Sequence, residues 1–109
     1  MDRTDLVRKL FAAYLANRKD LAEPLLSADF TFSSPRDDHI DRDAYFRDCW
    51  PQPPAFRDIN IERIFESGEE VVVGYRAQTI SGSTFRNLEL LRFSGDRIAS
   101  VEVYFGRNG

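Results

Sequence analysis

The chain has 109 residues, 42% of them hydrophobic and 30% charged, which is typical of one folded domain spanning 1–109. The formal net charge of −3 argues against nucleic acid as the main partner, and no apolar run is long enough to cross a membrane. One cysteine excludes an internal disulfide, and one histidine argues against a His-rich metal site. The N-terminal residues show no signal-peptide pattern, so we expect a cytoplasmic protein.

Apolar residues near the N-terminus recur at helical spacing and predict a first helix with one broad apolar face. They are Leu6, Val7, Leu10, Phe11, Tyr14 and Leu15. Asp2 or Thr4 suits the N-cap position of this helix. A short second helix is predicted over 21–26, and Pro24 limits its length.

A strand follows the second helix. Phe30, Phe32 and Ser34 share one face of this predicted strand, and Pro35 ends it. Residues 36–40 are polar apart from the last and are predicted as a loop.

A third helix is predicted after this loop, with Asp41 as its N-cap. One side of the helix carries Tyr45, Phe46, Cys49 and Trp50. The helix is expected to end at the prolines that follow, which are Pro51, Pro53 and Pro54.

The second half of the chain changes to the two-residue period of strands. Ile59 and Ile61 begin the first of four strands, and the shift to Ile64 indicates a bulge. Short turns at 67–69, 81–83 and 94–96 separate the strands and predict an antiparallel meander. One face of the third strand carries Phe85, Asn87, Glu89, Leu91 and Phe93. This order predicts an α+β fold, with three N-terminal helices in the concave face of a curved, mainly antiparallel sheet.

Three stretches carry a resemblance to a known superfamily, and they are 20–32, 88–98 and 101–106. They resemble the SnoaL-like and ketosteroid-isomerase-like group of the nuclear-transport-factor-2-like proteins. The resemblance implies a cone-shaped α+β barrel with a mostly apolar pocket, and a homodimer formed through the outer sheet face. That face would present Val72, Ile80, Leu88 and Leu90.

The resemblance also implies which residues line the pocket. The candidates are Tyr14, Phe30, Phe32, Ser34, Phe46, Trp50, Tyr75, Phe85, Glu89 and Tyr104. Ketosteroid isomerases have an Asp base just before the proline that ends the first strand, and here that position is Ser34, which argues against ketosteroid isomerisation. Their acidic residue on the central strand corresponds to Glu89. Their oxyanion-hole tyrosine corresponds to Ala12, with Tyr14 nearby.

Glu89 is the main catalytic candidate. A carboxyl on an apolar strand face is partly desolvated, which raises its pKa and suits it to general acid or base chemistry. A structural hydrogen bond to Tyr14, to Asn87 or to the backbone, or pairing with an arginine, is an equally open interpretation.

Two further positions have a chemical and a structural interpretation. His39 is a candidate proton shuttle near the pocket mouth, although a solvated loop histidine is the more common case. The nearby acidic residues do not match a calcium loop, since its glycine and terminal Glu are missing. Cys49 is expected to be an inert, buried thiol. Proton transfer needs neither a metal nor an organic cofactor, and we expect none.

Two functions follow from these features. The first is a small-molecule-binding protein, or a cofactor-free proton-transfer enzyme of isomerase, cyclase or dehydratase type, that acts on a ringed hydrophobic substrate. Glu89, Tyr14 and His39 would be its catalytic residues. The alternative is a non-catalytic homodimeric interaction module whose cone is filled by its own side chains.

Overall fold

A computed structural model of the chain describes residues 2–50 and 55–108. The helices are α1 (Arg3–Leu15), α2 (Lys19–Ala22) and α3 (Arg42–Asp48). The strands are β1 (Leu26–Ser34), β2 (Asp37–Asp41), β3 (Phe56–Ser67), β4 (Glu70–Thr79), β5 (Thr84–Ser94) and β6 (Arg97–Asn108). No helix in the described part of the chain is long and apolar enough to span a membrane.

Helix α1 is capped at both ends by local hydrogen bonds. The Asp2 carboxylate accepts from the Asp5 amide at 3.0 Å and from the Thr4 hydroxyl at 2.8 Å, so Asp2 is the N-cap. At the other end Asn17 has φ +58°, and its amide donates to the Tyr14 carbonyl. Asparagine tolerates this left-handed conformation, which turns the chain sharply away from the helix.

The segment after α1 differs from the prediction in its boundaries. The predicted helix over 21–26 is the single turn of α2 followed by a 3₁₀ turn at Glu23–Leu25 that contains Pro24. Strand β1 begins at Leu26, four residues before Phe30. Its first two residues are both buried, so the alternation that marks a half-buried strand is missing there.

The predicted loop at 36–40 is wrong from Asp37 onward, because Asp37–Asp41 form the edge strand β2, while Arg36 lies in the turn before it. Strand β2 pairs antiparallel with β1, and Ile40 lies opposite Phe32. With five residues and one apolar side chain, β2 has too little alternation to be recognised from sequence. Asp41 caps α3 as predicted, with its carboxylate accepting from the Ala44 amide at 2.8 Å.

Helix α3 ends at Asp48, so Cys49 and Trp50 follow the helix rather than lying within it. Its predicted proline stop lies outside the described residues, at Pro51, Pro53 and Pro54.

The six strands form one curved sheet in the order β2-β1-β6-β5-β4-β3. The predicted meander of β3 to β6 is confirmed, with all three turns where they were expected. The predicted bulge in β3 is also present, as a register shift between Ile61 and Arg63. β1 and β6 are parallel, which makes the sheet mixed. Strands β2 and β3 are the two edges of the sheet and are not neighbours. The curved sheet is therefore open and does not close into a barrel.

The helices pack on the inner face of this sheet, which confirms the α+β architecture. Fully buried side chains from α1, β1 and the meander form the core, including Val7, Leu26, Phe30, Val71, Val73, Leu91 and Phe93. The Arg3 guanidinium anchors the start of α1 by donating to the carbonyls of Gly68 at 2.7 Å and Gly95 at 3.2 Å. Both glycines have positive φ and lie in the turns that join β3 to β4 and β5 to β6.

Candidate functional site

An open cavity of about 730 Å³ lies between α1, the end of β1, the residues after α3 and the inner sheet face. Most of its wall is apolar, and the large apolar side chains include Leu10, Phe11, Phe32, Phe56, Ile59 and Phe85. Polar groups line it at a few positions, chiefly Glu89, Tyr75 and Asn87 on the sheet and Ser34 and Asp37 beside the end of β1. This combination is typical of sites for small, mostly apolar molecules.

Glu89 lies on β5, where Val73 of β4 and Val103 of β6 flank it across the sheet. Burial raises the pKa of its carboxyl from 4.5 to about 7, and the hydrogen bond from Tyr75 lowers the pKa by a smaller amount. Near neutral pH the group is therefore present in both the acid and the carboxylate form. A carboxyl in this state donates or accepts a proton with little driving force in either direction.

Tyr75 connects Glu89 to a short hydrogen-bond chain. The Tyr75 hydroxyl donates to Glu89 Oε2 at 2.6 Å and accepts from Asn87 Nδ2 at 3.3 Å. Asn87 Oδ1 in turn accepts from the Gly106 amide at 3.2 Å, which orients the side-chain amide. Burial and the neighbouring Glu89 charge raise the pKa of Tyr75 well above its usual range, so the phenol remains a donor at neutral pH.

Position 106 must be glycine, and its backbone amide connects the hydrogen-bond chain of Asn87, Tyr75 and Glu89 to β6. A Cβ at that position would collide with the backbone carbonyl oxygen of Arg86 on the neighbouring strand. A side chain there would push the two strands apart, and the amide that holds Asn87 would move with β6. The backbone of β6 therefore contributes to the orientation of Tyr75 and Glu89.

Tyr14 lines the cavity, but its hydroxyl does not bond to Glu89. It donates to the Cys49 carbonyl at 3.3 Å, while its ring packs edge-on against Trp50 with centroids 5.0 Å apart. Burial, followed by the charge of Glu89, raises the pKa of Tyr14 well above its usual range. Asn87 is therefore linked to Glu89 by hydrogen bonds through the Tyr75 hydroxyl, and Tyr14 forms part of the cavity wall.

The mouth of the cavity holds a second polar group centred on Asp37. Ser34 Oγ donates to Asp37 Oδ2 at 2.9 Å, and Cys49 Sγ lies 3.9 Å from the same oxygen. Burial, and then the Asp37 charge, raise the pKa of the Cys49 thiol to about 11. Cys49 is thus protonated at neutral pH, which is the state of a weak nucleophile.

Tyr104 and His39, predicted in the pocket and near its mouth, both lie outside the cavity. Tyr104 is on the outer sheet face, 52% exposed, and its hydroxyl donates to Glu102 at 2.7 Å. Its neighbour Val103 faces inward, and strand alternation therefore turns Tyr104 outward. His39 projects from β2 into solvent, with Nδ1 2.6 Å from the Asp38 carboxylate, and borders a separate, smaller pocket of about 300 Å³.

The remaining predicted wall residues divide into two groups. Phe32, Ser34, Tyr75 and Phe85 line the cavity as the sequence analysis expected. Phe30, Phe46 and Trp50 are instead buried in the core. Phe46 and Trp50 pack against each other and against Tyr45, and Trp50 Nε1 has no hydrogen-bond partner within the described residues.

Sequence reasoning missed several cavity residues. Asn87 shares a strand face with Glu89, so alternation could have placed it there. Phe11, Phe56 and Phe105 carry no signal beyond their hydrophobicity. Asp37 belongs to the segment 36–40 that the sequence predicts as a loop, and only the pairing of β2 with β1 brings it to the cavity. Within the described residues, no cluster of metal-ligating side chains is present.

Comparisons with known proteins agree with this architecture. In solved structures, the chain is similar to a nuclear-transport-factor-2-like protein of unknown function from Cytophaga hutchinsonii. The two are 23% identical, with a TM-score of 0.82 over 97% of this chain and 91% of that one. It is also similar to a proposed ketosteroid isomerase from Kribbella flavida (17% identity, TM-score 0.80, 94% of this chain and 76% of that one).

A third similar structure is AclR, a proposed hydroxylase from Streptomyces galilaeus, with 15% identity and a TM-score of 0.76 over 95% of this chain and 74% of that one. At these identities the likeness concerns the fold. A search of curated proteins found no match. The model of the SnoaL-like domain matches residues 7–101, which is most of the chain. The chain therefore belongs to the SnoaL-like domain family, as its sequence resemblance implied.

Proposed function

We propose that this protein binds a small, ringed, mostly apolar molecule in the cavity and exchanges a proton with it at Glu89. The observation that carries the proposal is a carboxyl with a pKa of about 7 that faces a cavity lined by aromatic rings. A purely structural carboxyl gains nothing from being next to an open cavity. A ligand oxygen or an acidic C–H beside Glu89 would give that position a chemical role.

Tyr75 and Glu89 would act together on the ligand. Tyr75 holds Oε2, so Oε1 is the oxygen that a ligand would reach. In its carboxylate form Glu89 removes a proton from the ligand, and in its acid form it returns a proton to a different ligand atom. Such a shift conserves charge and fits isomerase, cyclase or dehydratase chemistry. It uses side chains alone and requires neither a metal nor an organic cofactor.

An interaction module remains the alternative function, and one observation favours it. Leu88 and Tyr104 are exposed and lie directly opposite each other in the register of β5 and β6, and Ile80 is exposed in the turn that follows β4. Apolar groups of this size on one sheet face fit a homodimer through that face. Binding in the cavity and dimerisation through the outer face are compatible. We propose both for a cytoplasmic protein that has no nucleic-acid or membrane partner.

The proposal is tested by a thermal-shift screen of small ringed ketones, phenols and lactones. The wild type is compared with Glu89→Gln and with Glu102→Gln, which alters the similar Tyr–Glu pair on the outer face. A ligand at 100-fold its Kd adds about 2.7 kcal/mol to the free energy of unfolding. We expect hits whose shifts weaken in Glu89→Gln and persist in Glu102→Gln.

Turnover assays on these hits separate binding from catalysis. Proton transfer is supported when Glu89→Gln abolishes turnover of a ligand while the variant remains folded. A turnover rate equal to wild type in Glu89→Gln would exclude the catalytic role. Hits that shift both variants equally would exclude a binding role for the Glu89 carboxyl.

A further inference from the structure

We propose that the mouth of the cavity is a second polar subsite, in which Asp37 accepts a hydrogen bond from a hydroxyl or ammonium group of the ligand. The inference deepens the proposed function and rests on it, since the same ligand would place an oxygen substituent of its ring at Glu89. Glu89 and Asp37 line one cavity, together with aromatic side chains that include Phe11, Phe32 and Phe85. The expected ligand is therefore a ring with an oxygen at one end and a hydrogen-bond donor at the other.

Three separate elements hold the Asp37 side chain in place. It is the first residue of β2, Ser34 at the end of β1 donates to it, and Cys49 after α3 contacts it. The Arg36 amide donates to Ser34 Oγ at 3.0 Å, which fixes the hydroxyl that donates to Asp37. An oriented carboxylate loses little freedom when it binds a ligand, and this favours a binding role.

The carboxylate also has an oxygen to offer. Both side-chain contacts, from Ser34 and from Cys49, go to Oδ2. Within the described residues this leaves Oδ1 for a ligand. A carboxylate accepts hydrogen bonds and attracts cations, so the groups it selects are hydroxyl and ammonium.

The charges around the mouth favour a ligand with a hydroxyl or ammonium group over an anionic ligand. Glu89 and Asp48 also line this cavity, so its described residues include three acidic groups, of which Asp48 is paired with Arg47 at 3.0 Å. Arg36 is the cation of the mouth, but it is exposed and its guanidinium lies over the Phe105 ring, 5.6 Å from the centroid. An exposed charge is screened by water and salt more than a half-buried carboxylate is. Selection of an anionic ligand by Arg36 is the competing interpretation, and the experiment separates the two.

The test uses four phenols that share one ring and differ in the tail opposite the hydroxyl. They are 4-ethylphenol, with no polar tail; tyrosol, with a hydroxyl; tyramine, with an ammonium; and 4-hydroxyphenylacetate, with a carboxylate. Their Kd values are measured near neutral pH by NMR titration. We expect tyramine to bind wild type about tenfold more tightly than 4-ethylphenol, tyrosol to lie between them, and 4-hydroxyphenylacetate to bind most weakly.

Variants assign this preference to a residue. Asp37→Asn is expected to bind tyramine and 4-ethylphenol with similar Kd values, and unchanged 4-ethylphenol binding shows that its cavity is intact. Asp38→Asn is the matched control, because Asp38 is 95% exposed and pairs with His39 outside the cavity. Ser34→Ala keeps the Asp37 carboxylate but removes its hydroxyl partner, so a smaller loss of tyramine affinity is expected even if Asp37→Asn does not fold.

The outcomes separate a failure of the Asp37 subsite from a failure of the proposed function. Equal affinities for all four tails in wild type, with binding that still depends on Glu89, would overturn the Asp37 subsite and leave the proposed function standing. Tightest binding of 4-hydroxyphenylacetate would overturn it in favour of Arg36. Equal losses in Asp37→Asn and Asp38→Asn would overturn it as a general charge effect. No binding of any of the four phenols would overturn the Asp37 subsite, whereas the proposed function falls only if the ketones and lactones of the thermal-shift screen also fail to bind.

Discussion

Replacing Glu89 with glutamine should change how the stability of the protein depends on pH. The folded carboxyl has a pKa of about 7, against 4.5 for the ordinary group. Between these values the folded state binds more protons than the unfolded state, so the free energy of unfolding falls as the pH rises from about 4.5 to about 7. Above that range the destabilisation is complete. The Glu89→Gln variant has no ionisable group at this position, so its free energy of unfolding does not include this pH-dependent decrease.

The size of the effect follows from the pKa change. A rise from 4.5 to about 7 corresponds to about 3 kcal/mol of free energy of unfolding. This value is an upper bound, because the carboxyl borders an open cavity where water partly solvates it. For a domain of this length, about 3 kcal/mol is a change in Tm on the order of 10 °C.

The assay is urea unfolding of wild type and Glu89→Gln from about pH 5 to about pH 8. Fluorescence of Trp50, the one tryptophan of the chain, reports the transition because this residue is buried in the core. The difference between the two proteins cancels the carboxyl groups that they share. We expect the variant to gain about 2–3 kcal/mol relative to wild type across this range. A difference that does not vary with pH would refute the desolvation of Glu89.

Three other perturbations test individual contacts. Tyr75→Phe removes the hydrogen bond that lowers the pKa of Glu89, so in the same titration the pKa should rise above about 7, and an unmoved midpoint would show that the bond is unimportant. Asp37→Asn removes a charge that raises the pKa of Cys49, so the thiol should react faster with iodoacetamide near pH 8, and an unchanged rate would contradict the contact. Leu88→Arg should convert the proposed homodimer to a monomer in analytical ultracentrifugation, whereas a monomeric wild type would exclude the outer-face dimer.

The sheet was the part of the fold that the sequence predicted best. Buried residues alternate with less buried ones along β4, and short turns containing Gly68, Gly82 and Gly95 fix where β3, β4 and β5 end. A one-residue error in register would turn a whole strand face from the core to solvent. For this reason alternation alone placed Glu89 on the inner face. The same rule places Tyr104 beside Glu102 on the outer face, in conflict with the pocket position that the family resemblance implied.

The mouth of the cavity could not be predicted in the same way. Its shape depends on the turn at Pro35 and Arg36 and on the pairing of β2 with β1, and in β2 only Ile40 is apolar. Contacts between distant parts of the chain then decide which groups meet. The bond between Tyr75 and Glu89 joins residues 14 positions apart, and the contact between Cys49 and Asp37 joins residues 12 positions apart. Local periodicity carries no information about such pairs.

The most direct measurement for the whole account is the pKa of Glu89 itself. The carboxyl ¹³C shift of Glu89, assigned by its absence from Glu89→Gln, is followed against pH with and without a phenol that binds. The account predicts a midpoint of about 7 in the free protein, and a midpoint that moves when the phenol binds. A midpoint near the ordinary 4.5 that the ligand leaves unchanged would contradict it, because Glu89 would then be a solvated carboxylate without a role in the cavity.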